Sequence, residues 1–376
     1  MKNLVILFLS SLLINSFNCS FQAKLFNKMN KAKEGENLII SPLSIFQALS
    51  LAANGAKGDT LLEMLDLLEA DFLDDLNKIN YEIISVSKRF NTIDIANAVM
   101  TRFTPLKNFI DIAANYLAPV EPLVSAEQVN DWCSNKTHGK FNKIISSLSD
   151  EIIMIILNAV YFKGEWTFPF EKELTKKLPF YNLGKNETNV ETMTQIEHFN
   201  YYEDKKVQAI ELRFRKDYMS ALIILPVEGT NINKYINMLS ISNDEYQNII
   251  NGLKRTKVHL KLPKFEVNFS ENLNQVLMDL GMYNAFNSKD ADFTGLRSEG
   301  GIFISRVIHK TYLKVNEAGT AAAAVTAIVM DGAAFPGKEE KIYDMIVNRP
   351  FLFLLKNANL PAGKDLLFMS KIEKIE

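Results

Sequence analysis

Histidine, cysteine and serine are the residue types that most often carry catalysis, and in this sequence none of them falls into a working pattern. His138, His198, His259 and His309 are spread along the chain without metal-ligand spacing, so no metal is expected. The nucleophile elbow Gly-x-Ser-x-Gly, the zinc motif His-Glu-x-x-His and the dinucleotide motif Gly-x-Gly-x-x-Gly do not occur. The run from Gly332 to Lys338 opens like a phosphate-binding loop. However, Glu339 stands where Ser or Thr must hold magnesium, and Pro336 lacks an N–H that would cradle phosphate. The scattered histidines, serines and acids therefore read as surface or satisfied core residues, and no cofactor is implied.

The unusual chemistry lies in a segment with no reactive group, Glu317 to Met330 followed by Asp331 to Gly337. Its local preferences conflict. Ala321, Ala322, Ala323 and Ala324 favour helix, whereas Val325, Thr326, Ile328 and Val329 favour strand. At a spacing of two, one face holds Thr320, Ala322, Ala324 and Thr326, all small. A strand entering between two strands already packed on a core needs such a face. The segment by itself is also compatible with an ordinary small-residue loop or a surface helix.

The whole chain has 376 residues, 47% of them hydrophobic, with 42 basic and 44 acidic side chains. That composition fits a globular protein with a large core and excludes collagen-like and disordered classes. The formal charge of -2 argues against a dedicated nucleic-acid binder. Two cysteines, Cys19 and Cys133, cannot build a disulfide framework. Length leaves one or two domains open. At the N-terminus, Lys2 precedes an apolar run from Leu4 to Ile14 that is too short to span a bilayer. It reads as a secretory signal over residues 1–19, the alternative being an uncleaved apolar helix. The glycosylation sequons at Asn18, Asn135, Asn186 and Asn268 are compatible with secretion.

Helices dominate the first third. Ser41-Pro42 is an N-cap followed by Pro at the first helical position, and Gly55 supplies a stop. Thr60 with Glu63, and Ser125 with Gln128, are spaced as capping boxes. From Ile152 to Phe162 the chain is almost continuously apolar, as in a strand covered on both faces. Asn158 sits inside that run, and its amide must find a hydrogen-bond partner. A second buried run spans Ala221 to Leu225. Val258, Leu260 and Leu262 alternate, and after Pro263 the parity moves to Phe265, Val267 and Phe269. A helix is predicted from Ser270 to Gly281, and strands at Phe351 to Leu355 and Leu366 to Met369. Helices first and strands later point to an α+β fold around large sheets.

Six blocks, in order, resemble the serpin family over nearly the whole chain. They are Asn37 to Ser44 with Gly55 to Thr60; Leu157 to Trp166 with Pro169-Phe170; Leu262 to Phe265; Ala291 to Gly295; His309-Lys310; and Asn348 to Phe353 with Leu367 to Met369. The resemblance implies a single serpin domain over residues 20–376, with three β-sheets and about eight or nine helices. It also implies an exposed reactive-centre loop at about 317–345. A target serine protease would cleave that loop and become acylated. The loop would then insert into the central sheet and trap the enzyme, so the chain would be an inhibitor and not an enzyme.

By the same resemblance, Glu317, Gly319, Thr320 and Ala321 to Ala324 match the inhibitory hinge. Ala318 and Ala321 depart from acids common in inhibitors, which keeps a non-inhibitory carrier, storage or chaperone role as the alternative. The family's usual spacing from Glu317 places the reactive bond at Ala333–Ala334, which suits an elastase-like target. Ser41, Ser44, Asn158 and His309 correspond to the family's shutter, with His309 a candidate partner for Asn158. Trp166 corresponds to the breach. The stretch 71–94 mixes Lys78, Lys88 and Arg89 with several acids, so heparin activation is not expected. A secreted, extracellular, glycosylated monomer without nucleic-acid or membrane partners completes the expectation.

Overall fold

The structure is a computed structural model that describes residues 20–89, 93–141, 143–216, 218–241, 243–320, 340–361 and 363–376. The readings of residues 1–19, of Ala321 to Ala324 and of the Ala333–Ala334 bond fall outside these.

The first part of the chain is helical. It runs α1 (Phe21–Ala32), β1 (Leu38–Ile40), α2 (Pro42–Ala53), α3 (Gly58–Leu68), α4 (Leu73–Ser87), β2 (Ile93–Thr101), α5 (Lys107–Asn115), β3 (Val120–Pro122) and α6 (Ala126–Lys136). The Ser41 side chain accepts the Ser44 N–H at the start of α2, and every residue of α2 is buried. A helix buried all round belongs in a core, so α2 runs through the middle of the molecule. Ser125 caps α6 as its spacing predicts, accepting the Gln128 N–H at 3.1 Å. The expected box at Thr60 does not form. α3 begins two residues earlier, at Gly58, and both side chains are taken by distant backbone. Thr60 Oγ1 accepts the Asp292 N–H at 2.9 Å, and Glu63 accepts the Asn284 N–H at 2.7 Å.

Strands follow: β4 (Met154–Phe162), β5 (Gly164–Glu165), β6 (Lys176–Asn182), β7 (Asn186–Glu203), β8 (Val207–Arg213) and β9 (Met219–Pro226). After α7 (Ile232–Ile241) and α8 (Asn243–Gly252) come β10 (Lys254–Pro263), β11 (Phe265–Asn272) and α9 (Asn274–Asp279). The chain closes with β12 (Arg306–Asn316), β13 (Gly319–Thr320), β14 (Tyr343–Ile346), β15 (Phe351–Asn357) and β16 (Leu366–Ile372). The helix expected from Ser270 starts later, because Phe265 to Asn272 pair continuously with β12. Leu273 and Leu277 are buried as its apolar face requires.

Three sheets are present, two of them joined. In the central sheet β2 lies between β3 and β4, β4 pairs in parallel with β12, and β12 pairs with β11. The other strands run β1-β16-β15-β9-β8-β7-β10-β14, with β6 also on β7. β7 serves both of these sheets. Asn186 to Thr192 pair with β6, Thr192 to Tyr201 with β10, and Asn200 to Glu203 with β8. Nine α-helices surround the sheets among the described residues.

The alternation along β4 explains its continuous apolar run. Met154, Ile156, Val160 and Phe162 face the main core with α2. Ile155, Leu157 and Ala159 face a second core, closed by Val129, Trp132 and Cys133 of α6. Both faces of β4 are therefore dry.

Candidate functional site

Two places on the central sheet carry the polar chemistry. The first follows from period and register. Asn97 on β2 is directly opposite Asn158 on β4, and Asn158 is directly opposite His309 on β12. Residues paired across neighbouring strands share a face, so the three polar side chains form one row beneath α2.

The hydrogen bonds have a single direction through that row. Nε2 of His309 accepts the Ser41 N–H at 3.1 Å. The ring proton therefore sits on Nδ1, which donates to the Asn158 carbonyl oxygen. The Asn158 amide donates to Ser44 Oγ and to the Asn97 carbonyl oxygen. Burial, assisted by the neighbouring Lys310 charge, pushes the His309 pKa down to about 3, so the imidazole is neutral and can accept. Ser41, Ser44, Asn158 and His309, singled out from the sequence, are thus in one buried network. Asn97 is its unforeseen fifth member. Its signal was an amide inside the apolar run Ile95 to Met100, the same signal that marked Asn158.

The second place is the upper end of the sheet. β12 turns at Glu317-Ala318 and returns as β13, so that Asn316 faces Gly319 and Val315 faces Thr320. The Asn316 side chain holds the turn, accepting the N–H groups of Ala318 at 3.1 Å and Gly319 at 3.2 Å. On its other side β13 pairs with β5, Gly319 opposite Glu165 and Thr320 opposite Gly164. Thr320 is fully buried, and its Oγ1 accepts the Gly164 N–H at 2.8 Å. Gly319 has φ +141°, and a Cβ there would stand 2.0 Å from the Gly164 carbonyl oxygen. Only glycine fits this crossing.

The turn is clamped from several directions. Trp166 Nε1 donates to the Asn316 carbonyl at 3.0 Å, its backbone N–H donates to the Ala318 carbonyl, and its ring stacks on Phe214 at 4.3 Å. The Phe170 N–H donates to the Glu317 carbonyl at 2.9 Å. The Glu317 carboxylate is buried, accepts from Thr175 Oγ1 at 2.9 Å and pairs with Lys264 at 3.2 Å. Burial alone would raise the Glu317 carboxyl, but its own backbone N–H, Thr175 and Lys264 outweigh that and hold it below the usual range. Lys264 lies within the Leu262 to Phe265 block but was not singled out, and Phe214 and Thr175 had no distinguishing sequence pattern, because they reach the turn from other parts of the chain.

Beneath β13 the opening closes. Tyr312 is directly opposite Tyr161, their rings stacked 5.9 Å apart, and from there down to Arg306 and Ile155 the strands β12 and β4 pair directly. Two residues of the segment after β12 are thus already seated in the sheet. Seating several more residues would separate β12 from β4, and a strand that reached as far as His309 would break its bond to Asn158.

The glycosylation candidates Asn135, Asn186 and Asn268 are exposed. In the Asn135 sequon, Thr137 is fully buried and donates its hydroxyl to the Cys133 carbonyl at 2.6 Å. Among the described residues no helix is long and apolar enough to cross a membrane, and no group of three His, Cys, Asp or Glu could hold a metal.

A family model described as "Serpin (serine protease inhibitor)" matches residues 16–375. The chain is 32% identical over 382 residues to the "Intracellular coagulation inhibitor 2" of Tachypleus tridentatus, across 96% of this chain and 90% of that relative. It is 32% identical over 367 residues to the "Leukocyte elastase inhibitor" of Xenopus laevis, across 92% and 95%. Among solved structures, the native state of the thermophilic serpin tengpin matches with a TM-score of 0.84 at 30% identity, covering 100% of this chain and 96% of that one.

Proposed function

Because the chain belongs to the serpin family, we propose that it is a secreted inhibitor that traps an elastase-like serine protease as an acyl complex. The observation that carries this reading is the seating of Gly319 and Thr320 between β5 and β12. The sheet is poised at the point where a longer insertion would start, and the next residues of the same face, Ala322, Ala324 and Thr326, are small.

Cleavage of the Ala333–Ala334 bond would form an acyl-enzyme on the Ala333 carbonyl and free the chain beyond it. Residues from Ala321 onward would then follow Thr320 between β4 and β12. Each inserted residue adds ladder bonds worth about 1 kcal/mol each net. The small inward face avoids the roughly 1–3 kcal/mol per site that overpacking costs. Insertion carries the attached protease to the opposite end of the sheet before water can release it. On this reading Glu317, Gly319, Thr320 and Ala321 to Ala324 form the hinge, Trp166 marks the entry, and the network of Ser41, Ser44, Asn158 and His309 governs strand separation. The protein acts as a monomeric inhibitor and not as an enzyme. Residues 1–19 direct it out of the cell.

Mixing the full chain with neutrophil or pancreatic elastase and running a denaturing gel tests the reading. A covalent complex, with a released C-terminal peptide beginning at Ala334, supports it. Clean cleavage with no complex sinks the inhibitory reading and leaves a carrier, storage or chaperone role. Expression in secretory cells, followed by detection in medium or cytosol, tests the compartment. One relative has "Intracellular" in its name, so a cytosolic result is the specific alternative.

A further inference from the structure

The polar row under α2 does not end at Asn97. Beyond it lies a cavity of about 410 Å³ between α2, α4, β2, α5 and the end of α6. That volume is in the usual range for a small-molecule site, about 300–1,000 Å³. Gln47 of α2 lines the cavity. It is only 5% exposed, yet its side-chain amide has no hydrogen bond among the described residues. Asn97 is 8% exposed and gives its carbonyl oxygen to Asn158, while its own NH₂ group has no bond among the described residues. Two amides carried by nearly buried residues thus present free donors to the same open space.

The rest of the lining has a matching division. Ile84, Ile93 and Ile95 form an apolar wall, while Lys88 and Lys136, exposed and without an ion pair among the described residues, stand at the rim. The single rim acid, Asp94, is occupied by His138 at 3.1 Å. Two residues at the mouth, Leu117 and His138, have positive φ (55° and 52°), as the left-handed residues that close the ends of α5 and α6.

We infer that this cavity is a binding site for a small amphipathic carboxylic acid, held by the Gln47 and Asn97 amides, the isoleucine wall and the two rim lysines. Occupancy would engage the amide that terminates the His309–Asn158–Asn97 chain, and so would slow separation of β4 from β12. This consequence rests on the inhibitory reading; binding itself does not.

The test titrates the full chain with octanoate, N-octanoylglycine and the uncharged octanamide by calorimetry, with no protease present. At least one acid is expected to bind with a Kd below about 1 mM, and octanamide at least about tenfold more weakly, roughly 1.4 kcal/mol. Gln47→Leu, and separately Lys88→Glu with Lys136→Glu, should each weaken the acid by about tenfold. The rim pair is exposed and keeps the test valid if the Gln47 variant does not fold. The site is overturned if neither acid binds at about 5 mM, if octanamide binds equally well, or if the rim variants bind as the parent does. With a bound acid, the elastase complex should form more slowly. Binding with an unchanged rate overturns the coupling. If no complex forms in the absence of acid, the inhibitory reading fails and the binding result stands.

Discussion

Replacing Gly319 by alanine tests the hinge at its tightest point. The added Cβ would be 2.0 Å from the Gly164 carbonyl oxygen and 2.9 Å from the Glu165 Cα, both backbone atoms that cannot rotate away. Forcing a side chain into this positive-φ conformation costs a further 1–3 kcal/mol, roughly. The turn escapes by leaving the sheet, which gives up the pairing of Gly319 and Thr320 with two strands and the Thr320 hydroxyl bond. At about 1 kcal/mol per bond that loss is on the order of 3 kcal/mol, comparable with the strain it relieves. The variant should therefore remain folded with its hinge outside the sheet, and insertion after cleavage meets the same blocked crossing. An added barrier of about 2 kcal/mol slows insertion roughly 30-fold, since each 1.36 kcal/mol is tenfold in rate. The acyl-enzyme then hydrolyses, and elastase leaves cleaved chain in place of complex. The assay is the ratio of complex to cleaved chain on a denaturing gel, with circular dichroism to verify the fold. Gly184→Ala is the control, having φ +72° but nothing within 4 Å of its Cβ. Equal complex yield from Gly319→Ala and the parent would refute the reasoning.

Three further perturbations follow from the same geometry. His309 titrates near 3 when folded and near 6.5 when free, so below about pH 6.5 the unfolded chain gains a proton that the native chain refuses. Its contribution to stability is complete above pH 6.5 and is lost as pH falls toward 3, by up to about 1.4 kcal/mol per unit. Urea midpoints at pH 7 and pH 5 should therefore converge between parent and His309→Gln, and parallel curves would contradict the neutral-acceptor assignment. Lys310 is 2% exposed under α6, its Nζ 5.5 Å from the Phe141 ring centroid, and burial pushes its pKa down to about 8. Lys310→Met removes a buried charge that has no hydrogen-bond acceptor among the described residues. It should stabilise the protein at pH 7 by about 1–3 kcal/mol, read from the thermal or urea midpoint. Lys264→Met strips Glu317 of its charge partner. The carboxyl pKa should rise, and exchange of the Ala318 and Gly319 amides should accelerate by about tenfold or more, consistent with about 1.5–3 kcal/mol for a charge-assisted bond. Unchanged exchange would show that Phe170 and Trp166 hold the turn without the ion pair.

Local signals were readable wherever the physics is local. Ser41 capped α2 as its spacing indicated, and the parity change at Pro263 is the passage from β10 to β11. Errors arose where distant groups competed for the same atoms. Thr60 and Glu63 have the spacing of a capping box, but the backbone at Asp292 and Asn284 claims them. The start of α9 moved for a related reason, since eight residues of ladder with β12 outweigh the helical pattern that begins at Ser270.

The sequence alone determined that Asn158, set in an apolar run, needed a partner, and that the face carrying Thr320 had to be small. Both demands come from short-range chemistry: an amide cannot stay dry and unbonded, and a side chain cannot exceed the gap it enters. The tertiary structure decided who answers them. The register across β2, β4 and β12 puts Asn97 and His309 on either side of Asn158. The return of β12 at Glu317 brings Lys264, Thr175, Phe170 and Trp166 onto one turn, although they lie 53 to 151 positions before it in the chain. Hydrogen bonds and ion pairs act over about 3 Å. Which residues come that close is set by strand pairing across the whole fold, and sequence spacing carries no record of it.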